Sequence, residues 1–195
     1  MAVSPLAAPQ KLVGPGFLFL APFGTAVPAQ TSAAGKFTDV IGTPYLALGA
    51  TKDGSEFKYS TKVEAINVAE FFDPISYETV ERAGSVSFNL ASVTLTNYRR
   101  ALNGGVAALA AAGTVGAEVT AYSPPDPGTE VRAVLLWESL DGSLRMHCPQ
   151  VIQGGEVSLS YKKAPDYATI PCTFNFEVSG TNKPFTLYAA GTARV

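Results

Sequence analysis

Residues 54–104 have the sequence GSEFKYSTKVEAINVAEFFDPISYETVERAGSVSFNLASVTLTNYRRALNG, which combines two strand-like runs with a helical one. Apolar and polar residues alternate over 57–68 and again around Val86, Phe88 and Leu90. Alternation with a period of two is typical of strands that have one buried face and one wet face. Two such strands with a long connection between them predict a hairpin that projects beyond its sheet.

The connection between the two strands carries an apolar, aromatic tip. We expect residues 64–82 to form the protruding hairpin loop, with the tip at its end. Two adjacent phenylalanines in a long loop cannot easily bury both rings on one face, which favours contact with another molecule. The alternative is that the tip folds back onto its own core. The candidate contact residues are Phe71, Phe72, Asp73, Pro74 and Ile75.

Helical spacing replaces the strand pattern after residue 93. Thr94 is the predicted N-cap of a short helix, and Gly104 is predicted to end it. Paired glycines are poor helix interior residues, so we expect Ala107–Gly113 to be a loop instead of a continuation of the helix.

The remainder of the chain predicts short strands separated by polar turns. A tight Asp141-Gly142 turn predicts a hairpin between two of these strands. The fold class is therefore mainly β: an antiparallel β-sandwich or partly open barrel with one flanking α-helix and a long protruding hairpin. The predicted strands are Phe17–Ala21, Tyr45–Leu48, Glu118–Tyr122, Val131–Ser139, Ser143–Cys148, Glu156–Tyr161 and Ala168–Val178.

The length of 195 residues predicts one domain, residues 1–195. Within it, residues 1–10 are expected to form an N-terminal arm, and residues 179–195 a C-terminal edge strand or arm. No stretch approaches the roughly 20 apolar residues that span a bilayer, and Gly14, Pro15 and Gly16 interrupt the apolar N-terminal segment. We therefore expect a protein made in the cytoplasm, without membrane insertion.

The composition bears on the kind of partner. Charged residues make up 15% of the chain and hydrophobic residues 47%, whereas about 25% charged residues is typical. Either partners cover much of the surface, as in an obligate oligomer, or abundant small residues dilute the charge. The net charge is −2 and there is no basic cluster, which argues against specific nucleic-acid binding.

Candidate catalytic and metal-binding groups are sparse. His147 is the single histidine, which excludes a metal site built on several histidines of this chain, and no nucleophile is paired with a base. Cys148 and Cys172 lie in separate predicted strands, and we expect two free thiols that behave as small apolar residues. Most aspartates fall at predicted turns, where they cap backbone donors. We expect no enzyme activity, no cofactor and no metal.

Three segments, taken together and in order, resemble the major tail proteins of siphophages, which are the subunits of the phage tail tube. The segment GFLFLAPFGTAVPA (16–29) is similar to the family's opening strand and the AP-x-GT-x-x-P turn after it. The segment RAGSVSFNLASVTLTNYRRALNGG (82–105) resembles its strand followed by a short helix. The segment EVSLSYKKAPDYATIPCTFNFEV (156–178) resembles its final hairpin.

The resemblance implies a structural virion protein. Subunits of this family assemble into rings of six that stack into a hollow tube, through which DNA passes into the host without specific binding. The long hairpin and the terminal arms reach the next ring. The implied partners are further copies of the chain and the tape measure, terminator and baseplate proteins, and the implied location is the virion tail.

The wet face of the long strand is where a tube lumen would form. A neutral or mildly acidic lumen repels the DNA backbone and keeps friction low. The candidate lumen or interface residues are Ser60, Lys62, Glu64 and Glu78, and an ordinary solvated strand face is the alternative for each of them.

Two other classes of function stay open. A tail terminator or distal tail protein would have a related fold but would end the tube. A β-sandwich ligand-binding module would present an exposed aromatic platform, whereas Trp137 lies in an apolar strand where burial is expected.

Overall fold

The computed structural model describes residues 15–104, 106–109, 119–158, 163, 166–178, 180 and 183–191. The expected N-terminal arm, residues 1–10, lies outside them, as do parts of the expected C-terminal segment. The described elements, in chain order, are β1 (Gly16–Pro22), β2 (Ser32–Ala33), β3 (Lys36–Phe37), β4 (Leu46–Ala47), β5 (Thr51–Ile66), β6 (Ser76–Leu90), α1 (Leu95–Ala101), β7 (Val106–Leu109), β8 (Val119–Ser123), β9 (Ala133–Ser139), β10 (Leu144–Gln153), β11 (Ile170–Phe176) and β12 (Thr186–Ala189).

One antiparallel sheet dominates the fold. Its strands lie in the order β4-β1-β9-β10-β11-β6-β5, and β12 pairs with β10 as well. β2–β3 and β7–β8 are separate two-stranded sheets. The predicted mainly β, antiparallel fold is confirmed. In the described part of the chain, β4 and β5 end the sheet without pairing with each other, so the sheet is open and no barrel closes.

Hydrophobic clusters cover both faces of the sheet around β1 and β9. The larger cluster takes Leu135 of β9, whereas its neighbours Val134 and Leu136 point into the smaller cluster on the opposite face. This accounts for the uninterrupted apolar run in β9, because a strand that is buried on both faces needs no alternating polar residues. The larger cluster also includes Leu18, Val86, Phe88, Leu90, Ala101, Cys148, Ile170, Cys172 and Phe174.

Both cysteines are free thiols in this core, as predicted. Burial raises the pKa of the Cys172 thiol to about 12 and raises that of Cys148 further. Each therefore stays protonated at neutral pH and packs as a small apolar group.

Helix α1 is short and tied down at both ends. Thr94 is its N-cap, and the Thr94 hydroxyl accepts a hydrogen bond from the Asn97 amide at 3.2 Å. The C-cap is Leu102, not Gly104. Gly104 follows two residues later with a φ of 108°, in the left-handed region that favours glycine, and its amide donates to the Arg99 carbonyl.

Two predicted elements differ in the structure. Residues 107–109, part of the segment expected to be loop, belong to strand β7, which pairs with β8. Residues 156–158, expected to begin a strand, lie outside any strand, and residues 159–162 are not among those described. In the described part of the chain β11 pairs with β6 and β10, and most of the first strand of the expected final hairpin lies outside the described residues.

A buried ion network fixes the long connection between β1 and β4 to the sheet. The Arg145 side chain on β10 is 1% exposed. Its guanidinium donates to Asp39 Oδ2 at 2.6 Å, to Glu138 Oε2 at 2.5 Å and to the Ala29 carbonyl at 3.1 Å, and it lies 4.3 Å from the centre of the Phe37 ring. Asp39 is therefore the partly buried partner of the buried Arg145 guanidinium.

Gly84 marks the place where the hairpin leaves the sheet. A Cβ atom there would lie 2.5 Å from Cδ2 of Phe176 and 3.0 Å from Cδ2 of Tyr59. Gly84→Ala should therefore lower the free energy of unfolding by about 1–3 kcal/mol in urea titrations, since the rings must move. Gly42→Ala is the control, because its Cβ would have no neighbour within 4 Å, and it should stay within about 0.5 kcal/mol of wild type. Equal stability of the two variants would contradict this packing.

Candidate assembly interface

The β5–β6 hairpin projects from the sheet as a two-stranded ribbon. The last pair between β6 and its inner neighbour β11 is Ser85 with Asn175, whereas β5 and β6 remain paired as far as Ile66 and Ser76. At about 3.3 Å per residue, the part of β6 beyond β11 is roughly 30 Å long. The connecting loop is residues 67–75, so most of the segment 64–82 that was expected to be loop is paired strand.

The ribbon has two chemically different faces, because residues paired across antiparallel strands share a face. The apolar ribbon face continues the core face of the sheet. The charged ribbon face carries the intervening residues. By the observed register, the apolar ribbon face has Phe57, Tyr59, Thr61, Val63, Ala65, Tyr77, Thr79 and Arg82, and the charged ribbon face has Glu56, Lys58, Ser60, Lys62, Glu64, Glu78 and Glu81.

The four predicted lumen or interface residues, Ser60, Lys62, Glu64 and Glu78, lie together on the charged ribbon face, and all are exposed. Lys62 Nζ lies 2.9 Å from Glu64 Oε1, a surface ion pair worth about 0–1 kcal/mol. Glu64 lies directly opposite Glu78, and like charges in that position destabilise a hairpin. Lys62 lies directly opposite Glu81, which is a favourable pair, so the charges of this face partly offset one another.

The apolar ribbon face is covered only at its base. There the Phe57 ring lies 5.7 Å from Phe176 and 5.0 Å from Phe185, and Tyr59 lies 5.3 Å from Phe185. Farther out, Val63 is 49% exposed and Tyr77 is 67% exposed. Aromatic and β-branched side chains therefore line a surface that the described part of this chain leaves open.

The tip, residues 67–75, is the most exposed apolar part of the structure described. Phe71 is 65% exposed, Phe72 109% and Ile75 55%, and Asp73 and Pro74 are exposed as well. Two backbone hydrogen bonds hold the turn, from the Phe71 amide to the Val68 carbonyl and from the Ile75 amide to the Ile66 carbonyl. The alternative in which the tip folds back onto its own core is not observed.

The outer edge of β5 is a second open surface. β5 has 16 residues and pairs only with β6 in the described structure. At the other end of the sheet, β4 has two residues. A long unpaired edge presents a row of backbone donors and acceptors that can pair with another chain. The sheet thus has an unpaired edge at both ends, and the edge along β5 is much longer than the edge along β4.

Nothing among the described side chains forms a catalytic or metal-binding constellation. No group of three His, Cys, Asp or Glu residues that could hold a metal ion occurs there. His147 is 8% exposed, burial lowers its pKa, and its Nε2 atom has no hydrogen-bond partner among the described residues. Trp137 is half-buried against the core, so it offers no exposed aromatic platform.

Among the described residues, α1 has only seven residues, and there is no helix with the length and hydrophobicity that crossing a membrane requires. Little in the sequence predicts the Arg145 network, because Arg145 and Asp39 are 106 residues apart. The nearest signal was the opposite charge of Glu138 and Arg145 on either side of the Asp141-Gly142 turn.

No protein-family model matches this chain, and the search of curated proteins gave no match either.

Proposed function

We propose that this chain is the subunit of a phage tail tube, which assembles into stacked rings of six around a channel for DNA. The observation that carries the proposal is the two-faced ribbon, whose aromatic tip and the outer part of whose apolar face find no partner in the described part of their own chain. The proposal also rests on the resemblance of residues 16–29 and 82–105 to siphophage major tail proteins.

The ribbon is suited to an assembled state. A two-stranded hairpin is at best marginally stable in water, and three or more strands or a packed face are needed for stability. Exposed phenylalanine, tyrosine and valine side chains add a cost in the free subunit that burial against a neighbour removes. Contact with further copies therefore accounts for both features at once.

The open sheet edges favour a ring over a simple dimer. The long edge of β5 and the short edge of β4 are different surfaces, so a contact between them is heterologous. Heterologous contacts close into rings when the rotation between subunits permits it, and closure removes the exposed edges. Six copies joined in this way would form one continuous barrel around a channel.

The charges of the ribbon are compatible with DNA passage. The charged ribbon face carries four carboxylates, at 56, 64, 78 and 81, and two lysines, at 58 and 62. An excess of negative charge repels phosphates and gives no site at which DNA would be held. In the virion, the tape measure, terminator and baseplate proteins would be the further partners, after synthesis in the host cytoplasm.

The direct test is negative-stain electron microscopy of the purified full chain, with light scattering on the same sample. Hollow tubes or six-membered rings are the expected result. A monodisperse monomer at high concentration, even with tail-initiating components added, would overturn the proposal. Rings of six that do not stack would instead indicate a terminator-like or distal tail component.

A further inference from the structure

A pocket of about 300 Å³ lies at the base of the ribbon, next to Gly84. Its size is at the lower end of the range of about 300–1,000 Å³ in which small organic groups bind. We call it the basal pocket, and its lining includes Tyr59, Arg82, Phe176, Val178 and Lys183. Val178 is 66% exposed and Tyr59 39% exposed, so apolar surface is open to solvent here.

The basal pocket is positively charged. Arg82 and Lys183 both line it, and no Asp or Glu does. Neither cation forms an ion pair with any residue in the described ranges. An aromatic floor beside two unpaired cations fits a ligand that is both aromatic and acidic.

The tip has the complementary composition. Glu70 and Asp73 are the charged residues of the segment 67–75, and both are exposed. They flank Phe71 and Phe72, whose rings are exposed. Neither carboxylate forms an ion pair within the described structure. An acidic aromatic segment and a basic pocket with an aromatic floor therefore occur on the same chain.

We propose that the tip of one copy binds in the basal pocket of a second copy, with Phe72 in the pocket and Glu70 and Asp73 beside Lys183 and Arg82. This assignment rests on the proposed tube function, for which it supplies the partner of the tip. In the structure described, Phe72 is fully exposed, so the tip does not occupy its own pocket.

The contact propagates, because the tip and the pocket are different surfaces of one chain. Each copy offers one tip and one pocket, so the contact runs from copy to copy until a ring closes or the chain of copies ends. The tip lies roughly 30 Å from the basal pocket along the ribbon at about 3.3 Å per residue, so neighbouring ribbons are offset lengthwise instead of lying side by side.

Crosslinking on the full chain identifies where the tip binds. A photoreactive benzoylphenylalanine is placed at position 72, the sample is irradiated under assembly conditions, and the crosslinked peptides are mapped by mass spectrometry. Crosslinks to Phe176, Val178, Lys183 or residues 82–84 of another copy are the expected result. Crosslinks to another surface, such as the pocket around Phe23, Val27 and His147, or no intermolecular crosslinks at all, would overturn the assignment.

Charge reversal tests the same contact by complementation. One variant carries Glu70→Lys and Asp73→Lys, and the other carries Arg82→Glu and Lys183→Glu. Each alone should associate at least about tenfold more weakly than wild type. An equimolar mixture should recover association to within about threefold, because every tip then meets a pocket of opposite charge on the other variant.

The contact would be overturned if either variant alone associated as tightly as wild type. It would also be overturned if the mixture did not recover association although both variants melt as wild type does. The outcomes also separate this contact from the tube itself. Rings or tubes whose crosslinks lie elsewhere would support the proposed tube function and reject the contact between tip and basal pocket. Crosslinks at the basal pocket without rings or tubes would support the contact and reject the tube function.

Discussion

Serine at both Phe71 and Phe72 should abolish association through the tip, and with it tube formation, while leaving the folded subunit intact. Phenylalanines at the centre of a contact contribute roughly 2 kcal/mol each, so the double variant should weaken each contact on the order of 1,000-fold. The subunit itself should melt as wild type does, because both rings are exposed in it. Sedimentation velocity over a concentration series measures the association, and circular dichroism measures the melting.

The matched control changes two exposed apolar residues away from the ribbon. Val40 is 91% exposed and Leu140 54% exposed, so Val40→Ser with Leu140→Ser removes exposed apolar surface from another part of the subunit. This control should assemble as wild type does. If both double variants assembled normally, the tip would have no part in association.

Replacing Arg145 with methionine should lower the free energy of unfolding by about 3–5 kcal/mol. The substitution leaves the carboxylates of Asp39 and Glu138, which are 15% and 18% exposed, without their cation. Removing one partner of a buried ion pair is costly because the remaining charge stays desolvated. Urea-induced unfolding of the full chain gives the value, with the slope of the transition checked for two-state behaviour.

Arg132→Met is the control for this substitution. Arg132 pairs with Glu177 at 3.2 Å, but the two side chains are 42% and 30% exposed, so water can replace the lost contact. A loss of at most about 1 kcal/mol is expected there. A similarly small loss for Arg145→Met would mean that the connection between β1 and β4 is held by its apolar contacts alone.

The sequence predicts elements well where a local pattern and the tertiary environment agree. Val86, Phe88 and Leu90 alternate with polar residues and are 1%, 5% and 1% exposed. The Asp141-Gly142 turn does join two paired strands, β9 and β10. Thr94 caps its helix through its own hydroxyl. In each case the signal lies within a few residues of the structure that it specifies.

Prediction fails where a distant partner decides the conformation. Residues 76–84 lack clear alternation and are strand because β5 pairs with them along their whole length. The segment EVSLSY alternates from residue 156, yet residues 156–158 pair with no other strand in the structure described. Local pattern measures the preference of a segment, whereas pairing depends on which other strand is within reach.

The candidate site shows the same division. The exposed tip and the shared face of Ser60, Lys62 and Glu64 follow from alternation in one strand. The basal pocket does not, because it joins Arg82 with Lys183, two residues that have no local relationship in the sequence. Spatial convergence of this kind becomes visible only once the register of the sheet is known.

The open ribbon divides the subunit into regions of different local stability. Residues 85–90 of β6 lie between the two strands β5 and β11. Residues 76–84 have only β5 as a neighbouring strand, and their side chains are exposed on both faces. Opening of the ribbon from its tip therefore costs little free energy. The amides of residues 76–84 should exchange with deuterium long before those of the core. A neighbouring copy that binds the ribbon suppresses this opening, so amide exchange along one hairpin reports directly on how far assembly has proceeded.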